Sequence, residues 1–302
     1  MASPAPSLSF DRKFDPRTGT PVVVAEGIAR VTAPNASAYT FTGTNSFLLG
    51  HERLAVMDPG PDDSTHLGAL KRAIGGRPVD AIILTHTHRD HSAAARRLAD
   101  DLNAPLWFGG QHRLSRPLRR FERNPIRRSC DWSLVPDVTL VDGQQIQAGD
   151  LALTVHATPG HCANHLAFST PDILLSGDHV MGWNSTLVSV PDGSMADYFA
   201  SLDKVIALPQ RTYVPAHGAP IVDGTAYARA LRAHRLMRNE QVLRAVRSGA
   251  RSISAIVGKI YPEQPLPVRL AAAMTINAHV EYLEGLGQLS VARPFWGMRI
   301  TA

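Results

Sequence analysis

Residues 83–102, ILTHTHRDHSAAARRLADDL, bring His86, His88, Asp90 and His91 within six positions, just after an apolar run and just before an amphipathic one. Ionisable side chains at such a junction are costly to bury unless a cation offsets them. On an extended segment residues i and i+2 point the same way, so His86 and His88 reach one ion together. The chain then turns, and Asp90 with His91 faces a second ion. Imidazole nitrogen and carboxylate oxygen suit Zn²⁺, but two such ligands do not complete a site.

Three later segments supply more, each at the end of an apolar run: ATPGHCANH gives His161, ILLSGDHVMG gives Asp178 and YVPAHGAP gives His217. Ligands at the ends of several strands converge on one sheet edge, where rigid strands fix their geometry. The expected assignment places His86, His88 and His161 on one ion, Asp90, His91 and His217 on the other, and Asp178 between them. Two zinc ions about 3.5–4 Å apart share a water and produce a bridging hydroxide as nucleophile. Iron or manganese is compatible with the same ligand set. Asp90 and Asp178 are the expected catalytic carboxylates, through water activation and metal bridging, and hydrolysis the expected reaction. His179 and His165 read first as ordinary packing residues, with support of the ligands or proton donation as the alternative. Cys162 reads as a small packing residue beside His161, with a thiolate ligand as the alternative. His51, His66, His112, His156, His234 and His279 are expected at the surface or in helix packing.

The elements that must hold these residues follow from patterning. VVVAEGIARV, TFTGTNSFLLG, RLAVMDPG and VDAIILTH read as strands, STHLGALKRAIGG as a helix ending on glycine, and SAAARRLADDLN as a helix capped by Asp90 or Ser92. A second strand series runs from VTLVDG through LALTVHATPGH, HLAFST and DILLSGDHV, mostly antiparallel. The helix MADYFASLDKVIALP and the strand RTYVPAHG follow it. Strand-rich halves with a helix or two each predict two sheets face to face with helices outside. From Gly224 onward helices dominate, with a short strand-like tail, QLSVARPFW. The expected division is a lead over 1–21, a catalytic domain over 22–223 and a small helical domain over 224–302.

The 302 residues, 44% hydrophobic and 19% charged, suit an ordinary soluble globular protein. No stretch approaches the roughly 20 apolar residues that span a bilayer. With no apolar segment of a secretory signal at the N-terminus, the expected location is cytoplasmic. Two cysteines, Cys130 and Cys162, exclude a disulfide framework and a cysteine-rich zinc site.

The constellation resembles the metallo-β-lactamase superfamily, from about Val22 to about Pro220. That resemblance implies an α/β fold, a four-layer αββα sandwich with metals at one sheet edge. GTNSFLLG, SGDHVMGWNST, DYFASL and AHRLMRNEQVL are similar to a branch carrying a C-terminal winged-helix-like module, whose best-described members resemble single-stranded-RNA endonucleases. The bridging Asp178 points away from true β-lactamases and toward glyoxalase II-like thioesterases and phosphodiesterases.

Two ester-type substrates remain: a phosphodiester in single-stranded RNA, or a carboxylic (thio)ester of an anionic small molecule. A net charge of +5, the arginine-rich stretch Arg113–Arg128 and the spacing of Arg229, Arg232, Arg235 and Arg238 favour anions. Those arginines also fit a solvated surface. A reading of another class is a nucleic-acid-binding protein that keeps metals for structure, without turnover. Di-iron redox chemistry is a third.

Overall fold

The computed structural model describes residues 8–294 and 297–302; the PFW segment of the expected C-terminal strand lies partly outside the described residues. The chain opens with an antiparallel meander, β1 (Val22–Ala25), β2 (Ile28–Thr32), β3 (Asn45–Gly50) and β4 (Leu54–Met57). Helix α1 (Ser64–Ile74) crosses to β5 (Val79–Ile83), which lies parallel to β4. After α2 (Arg89–Ser92) and α3 (Ala95–Leu102), β6 (Leu106–Phe108) and β7 (Val138–Thr139) extend the sheet in parallel. A second sheet holds β8 (Gln145–Ala148), β9 (Leu151–Ala157), β10 (Leu166–Ser169) and β11 (Ile173–Gly177), all antiparallel. Past α4 (Met195–Ala207), β12 (Thr212–Pro215) joins its edge parallel to β11.

The strands sort their side chains with period two, and that sorting makes the layers. Leu48, Leu54, Val56 and Ile82 face α1 and α3, with Leu67, Leu70 and Leu98 filling the same core. Their alternates, Phe47, Leu49, Ala55, Met57, Ala81 and Ile83, face the second sheet and meet Leu153, Val155, Leu166, Phe168, Leu175 and Val214. On the far side Ala167, Leu174 and Tyr213 pack against Tyr198, Leu202 and Val205 of α4. The result is the expected four-layer αββα order.

The helix expected over the residues after His91 is split. Helix α2 starts after His88, α3 starts after Ala94, and neither Asp90 nor Ser92 caps a helix. Asp90 lies inside α2, and the Ser92 hydroxyl donates back to the His88 carbonyl (3.0 Å). Asp90 is thereby left free to face the site.

The C-terminal region consists of α5 (Gly224–Arg247), α6 (Ile253–Ile260), α7 (Leu266–Gly285) and the hairpin β13 (Ser290–Ala292) with β14 (Arg299–Thr301). Ala228 and Leu231 of α5 pack with α4, while Val242 and Val246 join Ile256, Val280 and Ile300 in a separate core. One helix thus belongs to both. No helix of the described residues is long and apolar enough to cross a membrane.

Ile82 is fully buried, whereas Val23 on the edge strand is 77% exposed. Ile82→Ala is expected to destabilise the fold by about 2–5 kcal/mol through the cavity it leaves. Val23→Ala should stay within about 0.5 kcal/mol. Urea unfolding of the two variants beside the parent chain measures both.

Candidate metal centre

Asp58 organises the histidine loop. It follows β4 with a left-handed backbone (φ 48°) and is fully buried. Its carboxylate accepts from the Thr85 amide (2.8 Å), the Thr85 hydroxyl (2.7 Å) and His91 Nδ1 (3.1 Å). Because the Thr85 hydroxyl hydrogen is spent on Asp58, its oxygen accepts from His86 Nδ1 (3.0 Å). His161 sits in the β9–β10 turn after Gly160 (φ 137°), where an added Cβ would lie 2.4 Å from the Tyr198 Cα. Asp178 follows β11, with its amide donating to His165 Nε2 (3.1 Å) while the Thr158 hydroxyl pairs with His165 Nδ1 (2.8 Å). His217 follows β12 and is tied to the first sheet, since the Asn45 side chain donates to the Pro215 and Gly218 carbonyls (3.1 and 3.0 Å).

All seven sequence-predicted ligand residues meet at this edge. His88 Nδ1 lies 3.1 Å from His86 Nε2 and 2.8 Å from His161 Nε2. Asp90 Oδ2 lies 3.4 Å from both His91 Nε2 and His217 Nε2. The Asp178 carboxylate lies between the two groups, 3.6 Å from His161 and from His91 and 3.3 Å from His217.

The outward bonds of these rings decide what the centre holds. His88 Nε2 faces Asp192 Oδ2 (3.0 Å), His161 Nδ1 the Leu187 carbonyl (2.7 Å) and His217 Nδ1 the Gly43 carbonyl (3.2 Å). Carboxylates and carbonyls accept only, so each ring must donate outward, and in its neutral form its other nitrogen turns a bare lone pair inward. The same holds for His86 through Thr85 and for His91 through Asp58. Lone pairs of His88 and His161 facing each other at 2.8 Å repel unless a cation lies between them. His91 Nε2, His217 Nε2 and Asp178 Oδ1 are buried with no hydrogen-bond partner. The donor set therefore fits a pair of divalent cations, one on His86, His88 and His161 and one on Asp90, His91 and His217.

The two halves respond oppositely to burial. In the tri-histidine half burial, reinforced by neighbouring imidazoles, holds His86 well below the ordinary histidine value and His161 at about 4. In the carboxylate half burial alone would lower His91 and His217. Asp90, Asp178 and Asp58 instead drive His91 well above its ordinary value, and Asp178 with Asp90 raises His217 to about 9. Burial would raise Asp178, but His217 and His91 hold it well below the usual carboxylate range. Without metal, protons on His91 and His217 supply the positive charge that the carboxylates demand.

His165 accepts the Asp178 amide, and Cys162 is buried with its thiol donating to Asn164 Oδ1 (3.3 Å). His179 does not join the ligands. Its ring packs against Tyr198 (centroids 4.8 Å) and its ring nitrogens make no hydrogen bond. His112 corrects the expectation of a surface or helix-packing residue. It is buried, with Nδ1 against the Thr87 hydroxyl (2.8 Å) and Nε2 donating to Asp192 Oδ1 (2.9 Å). Asp192, unnoticed in the sequence, receives His88, His112 and the Asn124 amide (3.1 Å). It lies in a VPDGS turn, where an aspartate reads as an ordinary turn residue. Asp58 carried a signal, since an aspartate ending a buried strand repeats the pattern that identified Asp178.

Over the ligand atoms of His88, Asp90, His161 and Asp178 opens a cavity of about 430 Å³. Tyr39, Ile126, Met181, Trp183, Leu187 and Met274 line it. Trp183 stacks on Phe41 at 5.0 Å.

Comparison with known proteins identifies the family and the fold. The family described as "Metallo-beta-lactamase superfamily" matches residues 39–217. The chain is 27% identical to a beta-lactamase-like protein 2 homolog of Drosophila melanogaster, covering 89% of this chain and 92% of the other. It is 30% identical to a hydroxyacylglutathione hydrolase of Pseudomonas entomophila, over 61% of this chain and 64% of that one. The crystal structure of a beta-lactamase domain protein from Burkholderia ambifaria superposes with a TM-score of 0.79 at 22% identity, covering 96% and 95% of the two chains.

Asp192→Asn, which weakens the acceptor of the His88 ring hydrogen, is expected to lower metal affinity about 10–100-fold with the fold intact. Competition titration against a chromophoric chelator reads the loss. In the chelated protein, stabilisation by protonated His217 is complete below its ordinary value of 6.5 and disappears as pH rises through about 9. Metal affinity should rise over that same window, because the ion no longer displaces the proton. Thermal melts with and without metal across it check the sign.

Proposed function

The chain belongs to the metallo-β-lactamase superfamily, and we propose that this metal-dependent hydrolase cleaves carboxylic esters or thioesters whose acyl part is apolar. The observation that carries the reading is the cavity, whose floor is the ligand cluster and whose walls are Tyr39, Ile126, Met181, Trp183, Leu187 and Met274. A site of that character binds by removing apolar surface from water and orients through a few polar groups.

When bound, a pair of divalent cations, zinc in this reading, supplies Lewis acidity and water made acidic enough to attack a carbonyl at neutral pH. His86, His88 and His161 would hold one ion, Asp90, His91 and His217 the other, and Asp178 would touch both. The remaining work falls to the chain. Asp90 has 29% of its side chain exposed, against 9% or less for Asp178 and for His88, His91, His161 and His217. It is therefore the carboxylate placed to take a proton from the attacking water at the cavity floor. The Phe41–Trp183 stack and Met181 keep bulk water from one side of the reacting carbonyl. Asn184 and Ser185 offer polar contacts beside them, and Arg89 is the cationic side chain at the wall.

The hydroxyacylglutathione hydrolase relative is, by its name, an enzyme that hydrolyses an acylglutathione, which supports the same chemistry here. A phosphodiester in RNA draws less support from the arginines. Arg235 is buried and donates to the Thr186 carbonyl, Arg232 is held by Asp203, and Arg238 lies over Tyr261 (4.6 Å). A nucleic-acid binder that keeps its metals for structure accounts for the convergent lone pairs but gives no use to the apolar cavity above them.

Zinc-loaded protein is expected to release thiol from acyl thioesters, followed with a thiol-reactive dye. Asp90→Asn should lower kcat by about 10²–10⁴-fold. His88→Ala should lose both metal, read by atomic absorption, and turnover while remaining folded. Cleavage of short single-stranded RNAs with every thioester untouched would overturn the reading.

A further inference from the structure

We propose that α7 forms the far wall of the acyl pocket, held there by an ionic latch to the arginine-rich segment, so that Met274 with Ile126 sets the acyl length accepted. The proposal rests on the (thio)ester reading of the same site and extends it to selectivity.

Two segments remote from the strand ends reach the cavity: Pro125, Ile126 and Ser129 from the stretch after β6, and Met274 from α7. The stretch after β6 is fastened at both ends. On its inner side the Asn124 amide donates to Asp192 Oδ1 (3.1 Å), and the buried Cys130 thiol lies 3.5 Å from the same oxygen. Asp192 is the group that receives His88 Nε2, so the inner edge of the segment is set relative to the metal ligands.

On its outer side the Arg116 guanidinium binds Glu281 of α7 (Nε to Oε2, 3.0 Å) and grips Glu122 with both terminal nitrogens (2.6 and 2.7 Å). Arg119 also pairs with Glu281, and its amide donates to Glu122 (2.8 Å). These carboxylates are 19% exposed or less, and Glu122 is held below its usual range first by the Arg116 hydrogen bonds. Ion pairs shielded in this way and bidentate in geometry hold position better than isolated surface pairs.

Glu281 and Met274 are seven residues apart on one helix, two turns, and so share a face. The latch therefore fixes the register at which Met274 enters the cavity. Arginines that sequence reading offers to an anion are spent on placing a pocket wall. A straight acyl chain with its carboxyl end at the metal cluster meets that wall at its far end. Each methylene buried before the wall adds about fourfold in affinity, and one that must push past Met274 adds none.

Product carboxylates test the wall without turnover. Zinc-loaded protein is titrated calorimetrically with butanoate, octanoate and dodecanoate, for the parent chain, Met274→Ala, Met274→Trp and Glu281→Gln. Met274→Trp should weaken the longer acids about tenfold or more and leave butanoate within twofold. Met274→Ala should move the gain per methylene toward longer chains, and Glu281→Gln should blur the length cut-off in the same direction. Circular dichroism confirms folding, and the alanine variant decides the matter if the tryptophan variant does not fold. A length profile parallel to the parent's in Met274→Ala overturns the proposal. Length-dependent acid binding that follows Met274, in a protein that hydrolyses no ester or thioester, keeps the wall and removes the reaction instead.

Discussion

Five histidines with their donors turned outward are the constraint on which the rest depends. Asp58, Asp192, Thr85 and the Leu187 and Gly43 carbonyls each take a ring hydrogen. That forces the remaining ring lone pairs to converge with the carboxylates of Asp90 and Asp178. Such convergence is repulsive in an apolar interior, and the fold can hold it only with positive charge at the centre. Protons on His91 and His217 serve in the metal-free state and divalent ions in the loaded one, so the fold and the metal chemistry depend on one charge balance.

Rigid strand ends make that convergence tolerable. The loops after β4, β5, β11 and β12, with the β9–β10 turn, open on one edge of the sandwich, and each contributes a ligand or a ligand's anchor. Asn45 of β3 ties the first sheet to the His217 loop by two hydrogen bonds, and the Leu166 amide donates to the Thr85 carbonyl (2.7 Å). The sheets are thus pinned to each other next to the ligands. Asp58 and Thr85, which hold the geometry, lie at strand ends, where the Thr85 amide helps satisfy the buried carboxylate, while Asp192 in its turn is satisfied by side chains.

Much of this was legible in the sequence, for identifiable reasons. The alternation in NSFLLG, LAVM and VDAII had to serve two cores, and it does, with neighbouring residues on opposite faces. His86, His88, Asp90 and His91 were visible because ionisable groups rarely crowd a strand end without a partner. His161, Asp178 and His217 were visible because each ends an apolar run. Asp192 and His112 were not, because a turn aspartate and a lone histidine are meaningful only once folding brings distant chain beside His88. The break between α2 and α3 escaped because alanine-rich sequence reads as continuous helix. What interrupts it is tertiary, in that the Ala94 amide donates to the Gly60 carbonyl (3.2 Å).

The arginines show what sequence spacing leaves open. A basic chain with arginine at every third position of α5 reads as a phosphate-binding face, since sequence spacing cannot distinguish solvent from protein. In the folded chain Arg235 lies inside, over the Tyr198 ring (5.3 Å) and bonded to a carbonyl. Its guanidinium there spans the contact between α5 and the Thr186 loop, which follows Asp178. Arg116 and Arg119 do the equivalent for α7. Planar guanidinium groups suit this work because they stay charged when half-buried and offer several donors in a fixed fork. Part of this chain's arginine content therefore serves to fasten its C-terminal helices to the rest of the fold.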